Sequence, residues 1–142
     1  MRKFLAIAAL PFSLSLGQTT IAAPQIVPNA CPSVAALQNA NLEDLTAEMS
    51  TPGLWFSANF TEPYGTTHTW TFVVGNIKAY SAEDAKEKGL ASLKSLQYVV
   101  GPEMGPLRRW TCRYSTTEGY VALTLTPPIR GGSISNAIAS VR

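Results

Sequence analysis

The clearest alternation of apolar and polar positions lies in the segment SAEDAKEKGLASLKSL, residues 81–96. Its apolar residues recur at helical spacing, while lysines and glutamates stand off that stripe, which predicts an amphipathic helix with one face on a sheet. Ser81 and Asp84 stand at the spacing of a capping box, so the helix is predicted to begin after Ser81. Glycine lowers the stability of a helix interior relative to alanine. Its presence at position 89 therefore predicts that the helix approaches the sheet closely there.

Four other segments are rich in aromatic and β-branched residues and alternate as strands do. They form two pairs, each joined by a short turn-like linker, which predicts two antiparallel hairpins. The segments are LWFSANF (54–60), HTWTFVVGNIKAY (68–80), RRWTCRYS (108–115) and YVALTLT (120–126). The predicted fold is therefore α+β: a four-stranded antiparallel sheet in the order ββαββ, with the Ser81 helix packed on one face.

Three further segments have weaker patterns. Ser33 can cap a short N-terminal helical segment that runs from about Val34 towards Met49, and asparagines in its middle also allow two shorter pieces. GPEMGP, residues 101–106, holds two prolines and two glycines and predicts a loop. The C-terminal tail, 129–142, is predicted to be weakly ordered unless another part of the chain covers its isoleucines.

The first 22 residues have the three-part layout of a secretory signal peptide. Arg2 and Lys3 precede an apolar run, and small residues follow, with cleavage predicted after Ala22. The apolar run is shorter than the roughly 20 residues that cross a bilayer, so no stable membrane anchor is expected. We therefore expect a periplasmic or secreted protein in which residues 23–142 form one small α+β domain.

Charge excludes one class of partner. The whole chain has 11 basic and nine acidic residues, and removal of the signal peptide takes away two basic ones, which leaves nine of each. A chain that is neutral on average lacks the basic excess of nucleic-acid-binding proteins, and it lacks a polybasic membrane patch as well. No nucleic-acid partner is expected.

The chain has two cysteines, Cys31 and Cys112, and an even number of cysteines in an exported protein is usually paired. We predict a disulfide between them that ties the proline-rich N-terminal lead-in to the third predicted strand. Two alternatives for Cys31 are a lipid attachment site and a thiol ligand. Lipidation is disfavoured because Cys31 lies well beyond the apolar run.

The chain has one histidine, His68, and it is the natural candidate for proton transfer in a catalytic site. No nucleophile elbow, phosphate-binding loop or matched set of metal ligands accompanies it. We therefore expect no catalytic residues, no metal site and no required cofactor. A small hydrolase-like enzyme that uses His68 is the less favoured alternative to an exposed histidine at the start of a strand.

Aromatic residues and methionine are frequent in the predicted strands and loops, and roughly half of the aromatic residues should fill the core. The rest predict an aromatic groove for haemin or another flat apolar small molecule, with His68 or a tyrosine as the iron ligand. The candidate ligand-binding residues are His68, Tyr64, Trp70 and Met104.

The segments NACPSVAAL, LWFSANF, AEDAKEKGLASL and WTCRY together resemble a family of small exported proteins of unknown function from intracellular bacterial pathogens. Some members of that family are named haemin-binding proteins. The resemblance covers most of residues 23–142 and implies an exported, non-enzymatic protein for which haem is a candidate ligand. It supplies no ligand residues. Cys31-Pro32 also resembles the dipeptide of haem-responsive motifs, a mode that needs a free thiolate and that a disulfide removes.

A protein-interaction or envelope accessory factor, associated with virulence and without a small ligand, is the alternative function. Such a protein predicts an exposed apolar patch or an unpaired sheet edge, to which a partner can add a strand.

Overall fold

The computed structural model describes residues 26–39, 46–49, 55–130 and 133–141. The predicted signal peptide, residues 1–22, lies outside the described residues. The elements in chain order are α1 (Val34–Gln38), β1 (Thr46–Met49), β2 (Trp55–Glu62), β3 (Trp70–Lys78), α2 (Ala82–Ser92), β4 (Gln97–Met104), β5 (Trp110–Ser115), β6 (Val121–Thr126) and α3 (Ser133–Ala139). Short 3-10 turns follow α2 and β4, at Leu93–Ser95 and Pro106–Arg108.

The described strands form one antiparallel sheet of six strands in the order β1-β2-β3-β6-β5-β4. The α+β class, the antiparallel sheet and the main helix α2 are confirmed. The two predicted hairpins are β2 with β3 and β5 with β6. The predicted number of four strands is wrong, because the structure adds one strand at each edge.

The first added strand, β1, replaces part of the predicted N-terminal helical segment. Among the described residues of that segment, Val34–Gln38 alone is helical, capped by the Ser33 hydroxyl, which accepts a hydrogen bond from the Ala36 amide at 3.1 Å. Thr46–Met49 instead pairs with β2. The partner is the next strand along the chain, but the β1 sequence TAEM consists mostly of good helix formers, so its local pattern does not indicate a strand.

The second added strand, β4, runs through the segment that predicts a loop. Its pairing with β5 has irregularities between Tyr98 and Val100 and between Val100 and Glu103. An edge strand tolerates Pro102 because its outer side needs no backbone donor. Strand β4 therefore extends to Met104 in spite of Gly101 and Pro102.

Helices cover both faces of the sheet. Helix α2 begins as predicted, since the Ser81 hydroxyl accepts a hydrogen bond from the Asp84 amide at 3.1 Å. A Cβ atom on the buried Gly89 would lie 3.2 Å from Ile77 Cδ1, so α2 does approach the sheet closely at its glycine. The core on this face includes Leu37, Phe56, Ala58, Tyr64, Trp70, Phe72, Val74, Ile77, Ala85, Leu93, Leu96, Cys112, Tyr114 and Ala122.

Helix α3 packs on the opposite face, which gives the tail isoleucines the cover that they require. Ile129, Ile134 and Ile138 are all nearly inaccessible to solvent. They belong to a second apolar cluster that also contains Val73, Leu123, Leu125 and Ala137. The sheet is thus the middle layer, with α1 and α2 on one side and α3 on the other.

The predicted disulfide between Cys31 and Cys112 is confirmed, with the two Cα atoms 5.9 Å apart. The Tyr114 hydroxyl donates a hydrogen bond of 2.6 Å to the carbonyl of Pro32. The lead-in before α1 is therefore held on β5 by one covalent bond and one buried hydrogen bond. Within the part of the chain that the structure describes, no helix has the length and apolar character needed to cross a membrane.

Candidate functional site

Two of the residues predicted to bind a ligand belong to the core. Tyr64 is 4% exposed and its hydroxyl donates to the Phe60 carbonyl at 3.1 Å. Trp70 is fully buried and its ring nitrogen donates to the Thr66 hydroxyl at 2.8 Å. Burial, with a smaller contribution from Glu62, raises the pKa of Tyr64 far above its ordinary value. Tyr64 is therefore held as a neutral phenol, which is unsuited to bind iron as a tyrosinate.

His68 precedes β3 and its side chain is half-buried. Its Nδ1 atom lies 3.1 Å from the Thr67 hydroxyl, and its ring lies edge-on to Trp70 with centroids 6.5 Å apart. Among the described residues, no carboxylate is bonded to His68 and its Nε2 atom has no hydrogen-bond partner. Neutral imidazole binds metal ions through a ring nitrogen, so Nε2 is a candidate atom for coordination.

Met104 lies apart from this cluster. It ends β4, and β3 is three positions away in the strand order, which corresponds to roughly 14 Å at about 4.8 Å per strand. Its side chain is 53% exposed. The structure therefore places Tyr64, His68 and Trp70 in one hairpin, at the turn from β2 to β3, but leaves Met104 at the far edge of the sheet.

The charged groups near α2 stabilise the first turn of that helix. The Asp84 carboxylate accepts hydrogen bonds from the Tyr80 amide at 3.0 Å and from Lys88 at 2.9 Å. These two donors, the amide first, hold the pKa of Asp84 below its usual value. Within the described ranges, no group of three or more histidine, cysteine, aspartate or glutamate side chains could hold a metal ion.

The feature that the sequence predictions missed is the edge strand β4. Among the described strands it pairs with β5 alone, so the outer side of its backbone has no strand neighbour. Its first four residues, Gln97–Val100, carry no charge, and Tyr98 and Val99 are 51% and 54% exposed. We call Gln97–Val100 the open edge. Its run of β-branched and aromatic residues is the signal that could have revealed it.

The second half of β4 is protected in the way that natural edge strands usually are. Proline, charged side chains and bulges all discourage pairing with another strand. Pro102 and Glu103 lie there, with a register shift between Val100 and Glu103, whereas the first half has a register shift between Tyr98 and Val100 but neither a proline nor a charge. Because the first half of β4 lacks proline and charge, the open edge is the part of β4 that can accept a further strand.

A groove of about 360 Å³ lies beside the open edge. One wall is the lead-in, residues 29–34, and the other is formed by Tyr98, Gly101 and Pro102. The Tyr98 hydroxyl donates to the Gly101 carbonyl at 2.7 Å, and its ring packs edge-on against Tyr114, 6.0 Å between centroids. Burial raises the pKa of Tyr114 to about 12, so this phenol stays neutral. The groove walls carry no charged side chain.

The Cys31–Cys112 bond fixes the lead-in wall of this groove to β5. The open edge and the groove together make a preformed, uncharged surface that offers free backbone hydrogen-bonding groups. No protein-family model, curated protein or solved structure matches the chain.

Proposed function

We propose that this protein is an exported, non-catalytic binding protein that recognises a protein partner at the open edge, Gln97–Val100. The partner adds an extended segment to the sheet, and main-chain hydrogen bonds to β4 supply the affinity. The observation that carries this proposal is the uncharged, half-exposed first half of β4 beside a groove. It matches the protein-interaction alternative predicted from the sequence.

The groove supports a particular chemistry for the partner segment. Side chains alternate along a strand, so every second residue of the added segment faces the groove. The groove walls include Ala30, Pro32, Val34 and Pro102 and no charged group. A charged side chain would lose water there without gaining a partner. The partner segment is therefore uncharged and carries β-branched or aromatic residues at alternate positions.

Two features support export. The signal-peptide pattern of residues 1–22 directs the chain out of the cytoplasm. The Cys31–Cys112 disulfide is of the kind that persists in oxidising compartments. The partner is accordingly sought among proteins of the periplasm, the cell surface or the surroundings of the cell.

Substitution of Val99 by lysine is expected to abolish strand addition, because a charged side chain on an edge strand discourages pairing with another strand. Val99 is 54% exposed, so the fold should tolerate Val99→Lys. Peptides are selected from a displayed random library on the purified, oxidised protein, and their affinities are measured by fluorescence anisotropy. We expect selected peptides to alternate β-branched or aromatic residues, and Val99→Lys to weaken binding at least about tenfold, or about 1.4 kcal/mol.

The matched control is Ala91→Lys, which adds the same charge at an exposed position of α2. It should leave peptide affinity unchanged, and amide shifts on peptide binding should cluster at Gln97–Val100. Equal losses in both variants, or shifts confined to another surface, would contradict the proposal. A concentration-dependent dimer with the same shifts in the absence of peptide would assign the edge to a second copy of the chain instead.

Haemin binding is the second candidate function, favoured by the half-buried His68, whose Nε2 atom no described residue contacts by a hydrogen bond. A haemin titration of the oxidised protein should then give a saturable one-to-one Soret shift that His68→Ala abolishes. Met104→Leu is the control, because Met104 lies at the far edge of the sheet. A featureless titration, or a shift that survives His68→Ala, would end the case for His68 as the haem ligand.

A further inference from the structure

The strand next to the open edge has one face under the lead-in and one face in water. On β5, Cys112 and Tyr114 are buried, whereas the alternate residues Arg113 and Ser115 are exposed. We call the first the groove face and the second the water face. Residues that pair across neighbouring strands lie on the same face of a sheet, so both faces continue onto β4 and onto a strand added beside it.

Pairing with β5 assigns the residues of the open edge to these two faces. Tyr98 pairs with Tyr114 and lies on the groove face, whereas Val100 pairs with Arg113 and lies on the water face. Val99 is the additional residue between those two pairs. An added strand therefore presents one row of side chains beside Tyr98 and the alternate row beside Val100.

The groove face carries a row of aromatic rings that ends at Tyr98. The edge-on ring pairs are Tyr64 with Phe72, Phe72 with Tyr114 and Tyr114 with Tyr98, with centroids 6.2, 6.4 and 6.0 Å apart. The first three rings are buried, whereas Tyr98 is half-exposed and lines the groove of about 360 Å³. Aromatic pairs add stability beyond the area that they bury. The exposed part of the Tyr98 ring is therefore a contact surface for one further aromatic side chain.

Two contacts hold the Tyr98 ring in place. Its hydroxyl donates a hydrogen bond of 2.7 Å to the Gly101 carbonyl, and its ring packs against Tyr114. Tyr114 is itself fixed by its hydrogen bond of 2.6 Å to the Pro32 carbonyl. A ring that is already held in place loses little conformational entropy when a partner packs on it.

The water face sets a different requirement for the added strand. Arg113 and Glu103 form an ion pair of 3.2 Å there, with both side chains 47% exposed, and Gln97 is exposed as well. Apolar side chains on this face of an added strand would stay in water. Sheets with one solvated face alternate apolar residues on the buried side with polar residues on the other. The segment that fits the open edge is therefore amphipathic with a period of two residues.

We propose that Tyr98 is the specificity-determining residue of the open edge and that it selects an amphipathic extended segment with an aromatic side chain beside it in the groove. This inference rests on the proposed function, because it requires a strand to be added at Gln97–Val100. It adds the kind of partner. The groove-facing row of that partner holds an aromatic anchor and β-branched residues, and the water-facing row holds uncharged polar residues such as threonine.

The test compares the affinities of three short peptides for the oxidised protein by fluorescence anisotropy. The first alternates threonine with valine around a central phenylalanine, the second has alanine in place of the phenylalanine, and the third has the composition of the first with its apolar residues in one block. We expect the first peptide to bind at least about tenfold more tightly than either of the others, because it alone buries an aromatic anchor while its polar residues stay in water.

Variants of Tyr98 show whether its ring makes this choice. Tyr98→Ala should lower the preference for phenylalanine over alanine at least about threefold, whereas Tyr98→Phe keeps the ring and should keep the preference. The preference is a ratio of two affinities within one variant, so a general loss of stability cancels from it. Tyr80→Ala is the matched control, since it removes a strongly exposed tyrosine that precedes α2, and it should leave the preference unchanged.

Failure of this inference differs from failure of the proposed function. Binding at Gln97–Val100 without a preference for phenylalanine, or with a preference that survives Tyr98→Ala, would overturn the role of Tyr98 and leave strand addition standing. Equal binding of the alternating and block peptides would overturn the amphipathic partner. Amide shifts on another surface, or no binding by any peptide, would overturn strand addition itself. Self-association that the first peptide displaces would make the occupant a second copy of the chain and overturn a separate partner.

Discussion

Reduction of the Cys31–Cys112 disulfide is expected to lower the free energy of unfolding by about 4 kcal/mol. The two cysteines are 81 positions apart, so the bond closes most of residues 23–142 into one loop and restricts the unfolded state strongly. A small domain has a total stability of only about 5–15 kcal/mol, so this loss is a large share of it. Peptide binding should also weaken, since the bond holds one wall of the groove.

The measurement is urea unfolding of the oxidised protein, the reduced protein and the Cys31→Ser/Cys112→Ser variant, with the thiol state checked by mass. Tyr114→Phe is the control for the non-covalent attachment of the lead-in, because it removes only the hydrogen bond to Pro32. Loss of that hydrogen bond should lower the free energy of unfolding by about 1 kcal/mol. If complete reduction left the unfolding midpoint unchanged, the disulfide would contribute nothing to stability and the prediction would be wrong.

Substitution of Gly101 by alanine is expected to destabilise the fold by about 3 kcal/mol, because two separate costs add. Its φ of +135° is one that residues with a side chain rarely adopt. An added Cβ atom would also lie 2.7 Å from both Cys112 Cα and the Thr111 carbonyl oxygen. Both are backbone atoms of β5, which cannot move aside without breaking the pairing of β4 with β5.

Gly119→Ala is the matched control for Gly101→Ala. Gly119 also has a positive φ, +75°, but an added Cβ atom there would meet nothing within 4 Å. Gly119→Ala should lower the free energy of unfolding by only about 1 kcal/mol, the usual cost of a left-handed angle for a residue with a side chain. Chemical denaturation of both variants isolates the steric cost at Gly101. Equal losses in the two variants would show that β4 does not approach β5 as closely as the structure indicates.

The elements predicted correctly are those whose causes lie close together in the chain. Helix α2 follows from Ser81, its cap to Asp84 and an apolar stripe. The hairpins of β2 with β3 and β5 with β6 follow from alternation and short turns. The disulfide could be predicted although its cysteines are far apart, since two cysteines allow a single intramolecular pairing.

The candidate site was predicted less well, because a residue type does not reveal its burial. Tyr64 and Trp70 have the chemistry of ligand-binding residues, but their packing against the sheet makes them core residues. The open edge, Gln97–Val100, was missed because its short apolar run precedes a segment rich in proline and glycine. That segment predicts a loop, whereas pairing with β5 keeps it extended.

Sequence signals were sufficient to predict the α+β class, the main helix, the two hairpins and the disulfide, since capping, periodicity, turn residues and cysteine number act within local segments or admit one solution. The edge strands, and the cover of Ile129, Ile134 and Ile138 by the second face of the sheet, became apparent in the folded chain alone. Those outcomes depend on contacts with other segments, whose free energy comes from burial and pairing that no single segment contains.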